Sequence, residues 1–510
     1  MRNFVFFKPP DSINKAIQDV RSRPYFYWKK KGEEMALNLF HWTVNKVIGY
    51  RVFLRQHKID PGKIRTIEDF KTLPLTSKNK YLRETQYPDL FPDRNLTSAT
   101  TVSATSGSTG EPFYFPRCGF HDDLYQYQAE IFLKEQFEID KKKTLGVLGF
   151  GLGIWIGGIF TYKVMERISN KGYRFTIVPT GTNKEEFFKV IKKFGRIYDQ
   201  ILLMGYPPFI KDILDEGKDH GIYWKDYEIK ILTAAEGFSE KFREYIAKKA
   251  GLKNMLSDIV NLYGTVEFGT MAHETAVTNL IRHLASKDKK LFKTLFPEAT
   301  NIPTLAQYHS DLFYFEEVKI ENKKEVIGTG YGAGIPLIRY RFHDLGGVIP
   351  YEMMMEKLSV CGLNLKNEMK KYHISPRLTY KLPFVYVYAR SDFSVVFRGA
   401  NIYPEEIRHA LDGHKLSKFI TGRFTMTRKE DKKLNQIFEI NAELRKKVRS
   451  NKKLTEIIKD NIVNHLCENN SEYRDVYQSD SVQALPTIVF WTYRHPLYFS
   501  HVGKQLWVKK

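Results

Sequence analysis

The chain has 510 residues, 42% hydrophobic and 27% charged, with 36 Phe and 30 Tyr; that balance excludes a disordered chain, and the length asks for two or more packed units. Lys and Arg number 80 against 58 Asp and Glu, a formal charge of +22, which invites a nucleic-acid or anionic-surface reading without requiring one. The three cysteines, Cys118, Cys361 and Cys467, stand far apart with no CxxC pair, which argues against a disulfide framework or a cysteine-based zinc site and suits a reducing cytoplasm.

At the start of the chain only Phe4, Val5, Phe6 and Phe7 form an apolar run before Lys8 and Pro9, so no export signal is expected. Residues 12–80 are charged and helical in pattern, with Tyr27, Trp28, Leu37, Leu39, Phe40, Trp42 and Val47 on apolar faces. A polar stretch then leads into residues 105–112, TSGSTGEP. Its glycines let backbone N–H groups converge on an anion and its hydroxyls add donors, so the loop can wrap a polyphosphate. The same composition also suits a plain surface turn. No lysine follows Gly110, so this is not a Walker A loop.

From residue 143 short apolar runs (LGVLGF, RFTIVPT, QILLMG, EIKILTAA) alternate with stretches of helical spacing (KVMERISNK, KEEFFKVIKKF, PPFIKDILDEGKDHG). This alternation predicts βαβ units and a mostly parallel sheet. Residues 145–160 are uncharged, but at 16 residues with six glycines they fall short of the roughly 20 that span a bilayer. A buried strand and loop are expected there, and no membrane span. The run GFGLGIWIGG within it lacks the third glycine of a dinucleotide fingerprint; Phe150, Trp155 and Ile159 read either as walls of an apolar pocket or as core.

Residues 261–269, NLYGTVEFG, offer Tyr263 as a flat face for a base and Glu267 as a carboxylate for a cation. Residues 338–346, IRYRFHDLG, place Asp344 after an apolar strand, where a carboxylate can accept from vicinal hydroxyls. Near residue 381 the pattern changes to strand, turn, strand and a helix opened by Pro404, and a domain boundary is expected at Arg390. The densest basic run, RKKVRSNKK at 445–453, reads as the solvated face of a helix. The terminal HVGKQLWVKK holds Gly503 and Lys504.

In order, the five elements that begin at residues 105, 261, 338, 390 and 503 resemble the core motifs of the adenylate-forming (acyl-CoA synthetase) superfamily, most of all its phenylacetate-CoA ligase-like branch. GFGLGIWIGGIF with the following IVPTGTN, then TAAEGFSEKFRE and PTLAQYHSDLFYFEEV, add to the likeness. The resemblance implies an α/β fold, with a large N-terminal domain of βαβ-built sheets (1–389) that binds ATP and the acid, and a small mobile α+β C-terminal domain (390–510). It also implies an activity, AMP-forming carboxylate-CoA ligation. A small-molecule carboxylic acid attacks ATP to give an acyl adenylate, and coenzyme A then displaces AMP. The aromatic residues near the glycine-rich run favour an aryl or arylacetic acid.

Carried over residue by residue, the resemblance gives Ser106, Gly107, Ser108, Thr109 and Gly110 to the β- and γ-phosphates. Ala235, Glu236, Tyr263 and Gly264 go to the adenine, Asp344 with Arg390 nearby to the ribose, and Glu267 to Mg²⁺. Lys504 would reach the carboxylate and α-phosphate, Asp392 would be the hinge, and Arg398 and Gly399 would border the coenzyme A tunnel. The chain departs from the branch at Asn261, where Asp is usual, at Phe393, where a second acidic residue is usual, and at Gly237, where proline is usual. Two other readings stay open: transfer to an amine, sugar or carrier-protein thiol, and a non-catalytic basic protein that binds nucleic acid. The second would show steep salt dependence and no pyrophosphate release; no specific nucleic acid is expected.

Overall fold

A computed structural model describes residues 12–97, 99–105, 112–392, 394–411, 416–496 and 498–499. Two short strands, β1 (Thr101–Ala104) and β2 (Tyr114–Arg117), pair with each other. Eleven more build one sheet: β3 (Thr144–Gly149), β4 (Phe175–Val178), β5 (Gln200–Gly205), β6 (Ile229–Thr233), β7 (Ile259–Thr265), β8 (Gly269–His273), β9 (Thr304–Gln307), β10 (Phe313–Ile320), β11 (Lys323–Tyr331), β12 (Pro336–Ile349) and β13 (Phe384–Arg390). Their order is β10-β11-β12-β13-β9-β8-β7-β6-β5-β3-β4.

Strands β3 to β7 pair in parallel, and each link between them carries one α-helix: Ile156–Ser169, Lys184–Phe194, Pro207–Glu216 and Glu240–Ala250. Every residue of β3, β5 and β6 is buried, as continuous apolar runs in a helix-covered parallel sheet must be. The helix boundaries carry their own chemistry. Asn183 and Ser239 cap helix starts with side-chain oxygens, and Gly251 ends one in the left-handed region at φ 69°.

The sheet is less parallel than the alternation predicts. The pairs β7–β8, β8–β9, β9–β13, β10–β11 and β11–β12 are antiparallel; only residues 266–268 separate β7 from β8, too few for a crossover. The glycine-rich run also divides differently. The strand ends at Gly149, and Ile156 already begins a helix.

The antiparallel end curls back on the centre. β12 and β7 stand four strand steps apart, about 19 Å if flat, yet the Tyr263 hydroxyl of β7 donates to Asp344 Oδ2 of β12 at 2.6 Å. Aromatic rings fill the fold so formed, with Phe268 edge-on to Phe313, Tyr340 and Phe342 at 5.7–6.0 Å between centroids. Gly346 lets β12 approach the β13 backbone closely, since a Cβ there would lie 1.9 Å from the Tyr386 carbonyl oxygen.

The chain divides into two compact units: Met1–Ser103 with Tyr114–Gly205 and Ile210–Ala389, and Arg390–Lys510 with Ala104–Phe113 and Tyr206–Phe209. The smaller has its own core, in which Phe397, Ile402, Phe424, Phe438, Ile440, Ile458, Ile462 and Leu466 are buried. It holds the hairpin β14 (Val395–Phe397) and β15 (Ala400–Ile402), then a sheet of β16 (Ile420–Glu430), β17 (Gln436–Leu444) and β18 (Thr487–Trp491). The basic run does not form a helix face. Lys447 sits at φ 68°, and the helix Lys452–Asn469 starts only after Asn451 caps it, so most of the run is a turn after β17. Arg398 and Gly399 form the two-residue turn of the β14–β15 hairpin, both at positive φ, 49° and 88°. Gly399→Ala is therefore expected to lower stability by about 1–2 kcal/mol, read as a fall in the denaturant midpoint. Among the described residues no helix is long and apolar enough to cross a membrane.

Candidate active site

Asp344 is held by a bulge. Val326 of β11 pairs with Asp344 while Ile327 pairs with Arg341, so Phe342 and His343 have no partners across the ladder and His343 adopts φ 69°. The extra residues re-aim the strand, and the Asp344 carboxylate reaches the Tyr263 hydroxyl. Both residues are buried, at 7% and 9% exposed. That hydrogen bond fixes one carboxylate oxygen, Oδ2, in a site lined by Phe315, whose ring centroid is 6.4 Å from that of Tyr263.

Glu267 stands on the β7–β8 turn, half-buried, and its Oε1 accepts from the Tyr340 hydroxyl at 3.2 Å. Gly264 is exposed at the end of β7, where a Cβ would meet the Gly269 carbonyl oxygen at 2.3 Å. The turn rests on a buried group that sequence patterns did not reveal. Arg117 donates through Nη2 to the Val266 carbonyl, through Nε to Ser103 Oγ at 2.9 Å, and meets His121 Nδ1 at 3.1 Å. His121 Nε2 lies 2.6 Å from the Phe268 carbonyl, so Nε2 carries the proton and Nδ1 accepts from Arg117. The Phe160 ring lies under both, 5.0 Å from the Arg117 guanidinium carbon and stacked on His121 at 4.8 Å. Burial pulls the guanidinium down to about 9, against the pull of Asp122 and Glu267.

The loop after β6 is held from behind. Asn261 Nδ2 donates to the Glu236 carbonyl at 3.2 Å and its Oδ1 accepts from Thr233 at 2.9 Å, so both ends of this amide are used within the protein. Ala235 takes φ 78°, a costly conformation for a residue with a Cβ. Deeper still, Glu274 is fully buried and accepts from Arg243 at 2.7 Å, from Arg282 at 2.5 Å and from the Asn261 N–H at 3.0 Å. Arg282 also donates to the Phe238 carbonyl at 2.7 Å. Burial would raise the neighbouring Glu240 carboxyl, but Arg243 and Arg282 override it and hold it below its ordinary value.

In the smaller unit Arg390 grips Asp392 with two hydrogen bonds, 3.1 Å and 2.6 Å, and Ser394 donates to the same carboxylate from its N–H and hydroxyl. Arg398 is buried, its N–H on Gln436 and its guanidinium on Gln483 at 2.7 Å. In the larger unit Phe150 is buried, whereas Trp155 and Ile159 are half-buried beside the exposed Leu152 and Ile154. Ser106, Gly107, Ser108, Thr109, Gly110 and Lys504 lie outside the described residues. The ends of that Gly/Ser loop are close, because the Thr105 N–H donates to the Phe113 carbonyl and the Phe113 N–H to Thr105 Oγ1, at 3.1 and 3.0 Å.

Three histidines of the larger unit are held neutral chiefly by burial, His273 at about 4 and His121 and His309 at about 3. All three sit below the unfolded value near 6.5, so the unfolded chain binds protons first as pH falls. Their stabilisation is complete above about pH 6.5 and is lost progressively toward pH 4 and 3, by about 1.4 kcal/mol per pH unit for each histidine. Replacing His309 with Gln is expected to flatten the fall of melting temperature between pH 6.5 and 4; an unchanged slope would refute this.

The curled mixed sheet and the smaller C-terminal unit match in fold a solved CoA ligase of the adenylate-forming kind. In fold the chain matches crystal structures of 2-hydroxyisobutyryl-CoA ligase. The structure with 2-HIB-AMP and CoA gives a TM-score of 0.66 at 14% identity, covering 99% of this chain and 94% of that one. The postadenylation state with R3-HIB-AMP gives 0.55 at 14% identity, covering 99% and 93%. In sequence it is similar to the phenylacetate-coenzyme A ligase of Pseudomonas putida, 22% identical over 365 residues, which covers 70% of this chain and 69% of that protein. The phenylacetate-coenzyme A ligase of Thermus thermophilus is 23% identical over 238 residues, covering 46% and 49%. No protein-family model matches the chain. The chain is thus similar in sequence to phenylacetate-coenzyme A ligases and in fold to a 2-hydroxyisobutyryl-CoA ligase.

Proposed function

We propose that the protein is an AMP-forming carboxylate-CoA ligase: it activates a small carboxylic acid with ATP to an acyl adenylate and transfers the acyl group to coenzyme A. The observation that carries this is the buried Tyr263–Asp344 hydrogen bond across the curled sheet, with Glu267 on the neighbouring turn. Tyr263 holds Oδ2 of Asp344, and the carboxylate accepts from the ribose hydroxyls. Ala235 and Glu236 present loop backbone to the adenine, with Gly264 beside Tyr263. Two anions must meet in the first step, so positioning and neutralisation of charge supply most of the catalysis. Ser106 to Gly110 take the outer phosphates, and Lys504 takes the reacting carboxylate and α-phosphate.

Mg²⁺ fits the donors present. It is usually bound by one or two carboxylates together with substrate phosphates, and Glu267 offers one half-buried carboxylate, while the described residues contain no cluster of three or more His, Cys, Asp or Glu suited to a metal. When bound it neutralises phosphate charge; Glu267 holds it, and Tyr340 orients Glu267. Asp392 acts as the hinge with Arg390 as its partner. Arg398 and Gly399 border the path of the pantetheine arm. Phe150, Trp155 and Ile159 favour an apolar, phenylacetate-like acid. The three cysteines form no disulfide, which supports a cytoplasmic setting.

A pyrophosphate-release screen across a carboxylic-acid library, with and without coenzyme A, tests the reading. Acid-dependent release with coenzyme A consumed is expected. Release without coenzyme A consumption would favour an amine, sugar or carrier thiol as acceptor, and no release with any acid would end the proposal.

A further inference from the structure

The densest basic run of the chain, at 445–453, has no part in the proposed reaction, and it lies wholly within the smaller unit. Its turn is closed by the Val448 N–H on the Arg445 carbonyl at 3.0 Å, and the Arg445 N–H donates to the Phe419 carbonyl at 2.9 Å. Arg445 Nε also donates to the Ser417 carbonyl. Lys418 and Phe419 thereby adjoin the run, and with Arg445, Lys446, Lys447, Arg449, Lys452 and Lys453 all are exposed. Other basic clusters are offset by carboxylates: Lys29, Lys30 and Lys31 face Glu33 and Glu34, and Lys141 and Lys142 face Glu138. Here, among the described residues, none of the cations makes an ion pair. The carboxylates that flank the run in sequence are engaged elsewhere: Glu443 is buried and accepts from the Thr421 hydroxyl and the Arg494 N–H, and Glu456 pairs with Lys459. Lys452 and Lys453 also open the helix Lys452–Asn469, at the end where the helix dipole favours carboxylates. Other helices do place them there, as with Glu185, Glu186 and Glu240.

We infer that this face of the smaller unit docks on an anionic lipid bilayer. The inference goes beyond the ligase reading and does not depend on it. Clusters of about four to eight Lys and Arg are drawn to anionic leaflets, each cation adding to the attraction near the surface. Two apolar side chains stand with them: Phe419 is 40% exposed and Ile457 39%. Ile457 follows Lys453 by one helical turn and shares its face. Apolar side chains beside cations enter the headgroup boundary while the cations stay with the phosphates. Nucleic acid fits less well. Lysine outnumbers arginine in the patch, and an ammonium lacks the planar fork that arginine offers to phosphates and guanine edges. Ile457 has no ring to stack on a base. The contact is peripheral and needs no spanning helix.

The test is flotation of the full chain with vesicles of phosphatidylcholine alone or mixed with phosphatidylserine. Wild type is expected to float with the anionic vesicles and not with the neutral ones, and to be released at about 0.5 M salt, where surface charge is screened. Combining Lys446→Gln, Arg449→Gln, Lys452→Gln and Lys453→Gln is expected to lower the partition coefficient at least about tenfold. Combining Lys63→Gln, Lys192→Gln, Lys193→Gln and Lys289→Gln removes the same charge from exposed positions of the larger unit and should leave it within about twofold of wild type. Phe419→Ser with Ile457→Ser is expected to weaken binding about threefold or more, since affinity scales with apolar area buried at the interface. All substituted positions are exposed, and melting temperature checks the fold of each variant. Equal losses in the two glutamine combinations, equal binding to neutral vesicles, or unchanged binding by the double serine variant would overturn the inference. Tighter binding to a DNA or RNA oligonucleotide than to the anionic vesicles would do the same. Flotation involves no ATP, acid or coenzyme A, so its failure leaves the ligase reading untouched, and failure of the pyrophosphate screen leaves this inference untouched.

Discussion

Asp344→Ala is expected to lower kcat/KM for ATP by about 30- to 700-fold, a loss of about 2–4 kcal/mol in transition-state stabilisation. The argument starts from the bulge that turns Asp344 toward Tyr263. Alanine removes the acceptor proposed for the ribose hydroxyls together with the hydrogen bond that the Tyr263 hydroxyl donates to it. Tyr263→Phe separates the two effects. It keeps the carboxylate and loses only the bond that orients it, so a loss of about 1 kcal/mol is expected. Melting temperature reports folding alongside the kinetics. A folded Asp344→Ala variant with unaltered ATP affinity and turnover would remove the ribose from this site.

Glu274→Gln is expected to cost about 3–5 kcal/mol of stability, because it leaves Arg243 and Arg282 buried with one carboxylate fewer. The loss should reach the nucleotide site as well, since Glu274 accepts from the Asn261 N–H and Asn261 holds the Glu236 carbonyl. A raised KM for ATP with kcat little changed is therefore expected in the fraction that folds. The exposed pair Lys459–Glu456 is the control, where Glu456→Gln should change stability by less than about 1 kcal/mol. Equal denaturant midpoints for Glu274→Gln and wild type would contradict the role given to this network.

The parallel half of the sheet was legible because buried strands read as unbroken apolar runs and the helices between them keep a 3.6-residue period. The antiparallel half was less so. Nothing in the apolar run of β12 announces that two residues bulge out of register to aim Asp344, since the bulge depends on pairing with β11 and not on local composition. The polar residues closest to the proposed chemistry were legible as Tyr263, Glu267 and Asp344. Those that hold them in place were not, because Arg117, Arg243 and Arg282 look in sequence like ordinary surface charges on amphipathic helices or strand ends, and only the fold shows them to be buried. Asn261 shows the same limit from the other side. In sequence it is only a departure from the usual Asp, whereas in the structure its amide is a brace between β6 and the following loop.

The central claim is that a carboxylate oxygen attacks the α-phosphate of ATP. It is tested most directly by supplying a turned-over acid labelled with oxygen-18 in its carboxylate, together with ATP and coenzyme A, and reading the products by mass spectrometry. One labelled oxygen should appear in AMP and none in pyrophosphate, because the bond formed in the adenylate stays with phosphorus when the thiol displaces AMP. Label in inorganic phosphate with ADP as the nucleotide product, or acyl-CoA formed with unlabelled AMP, would contradict the account.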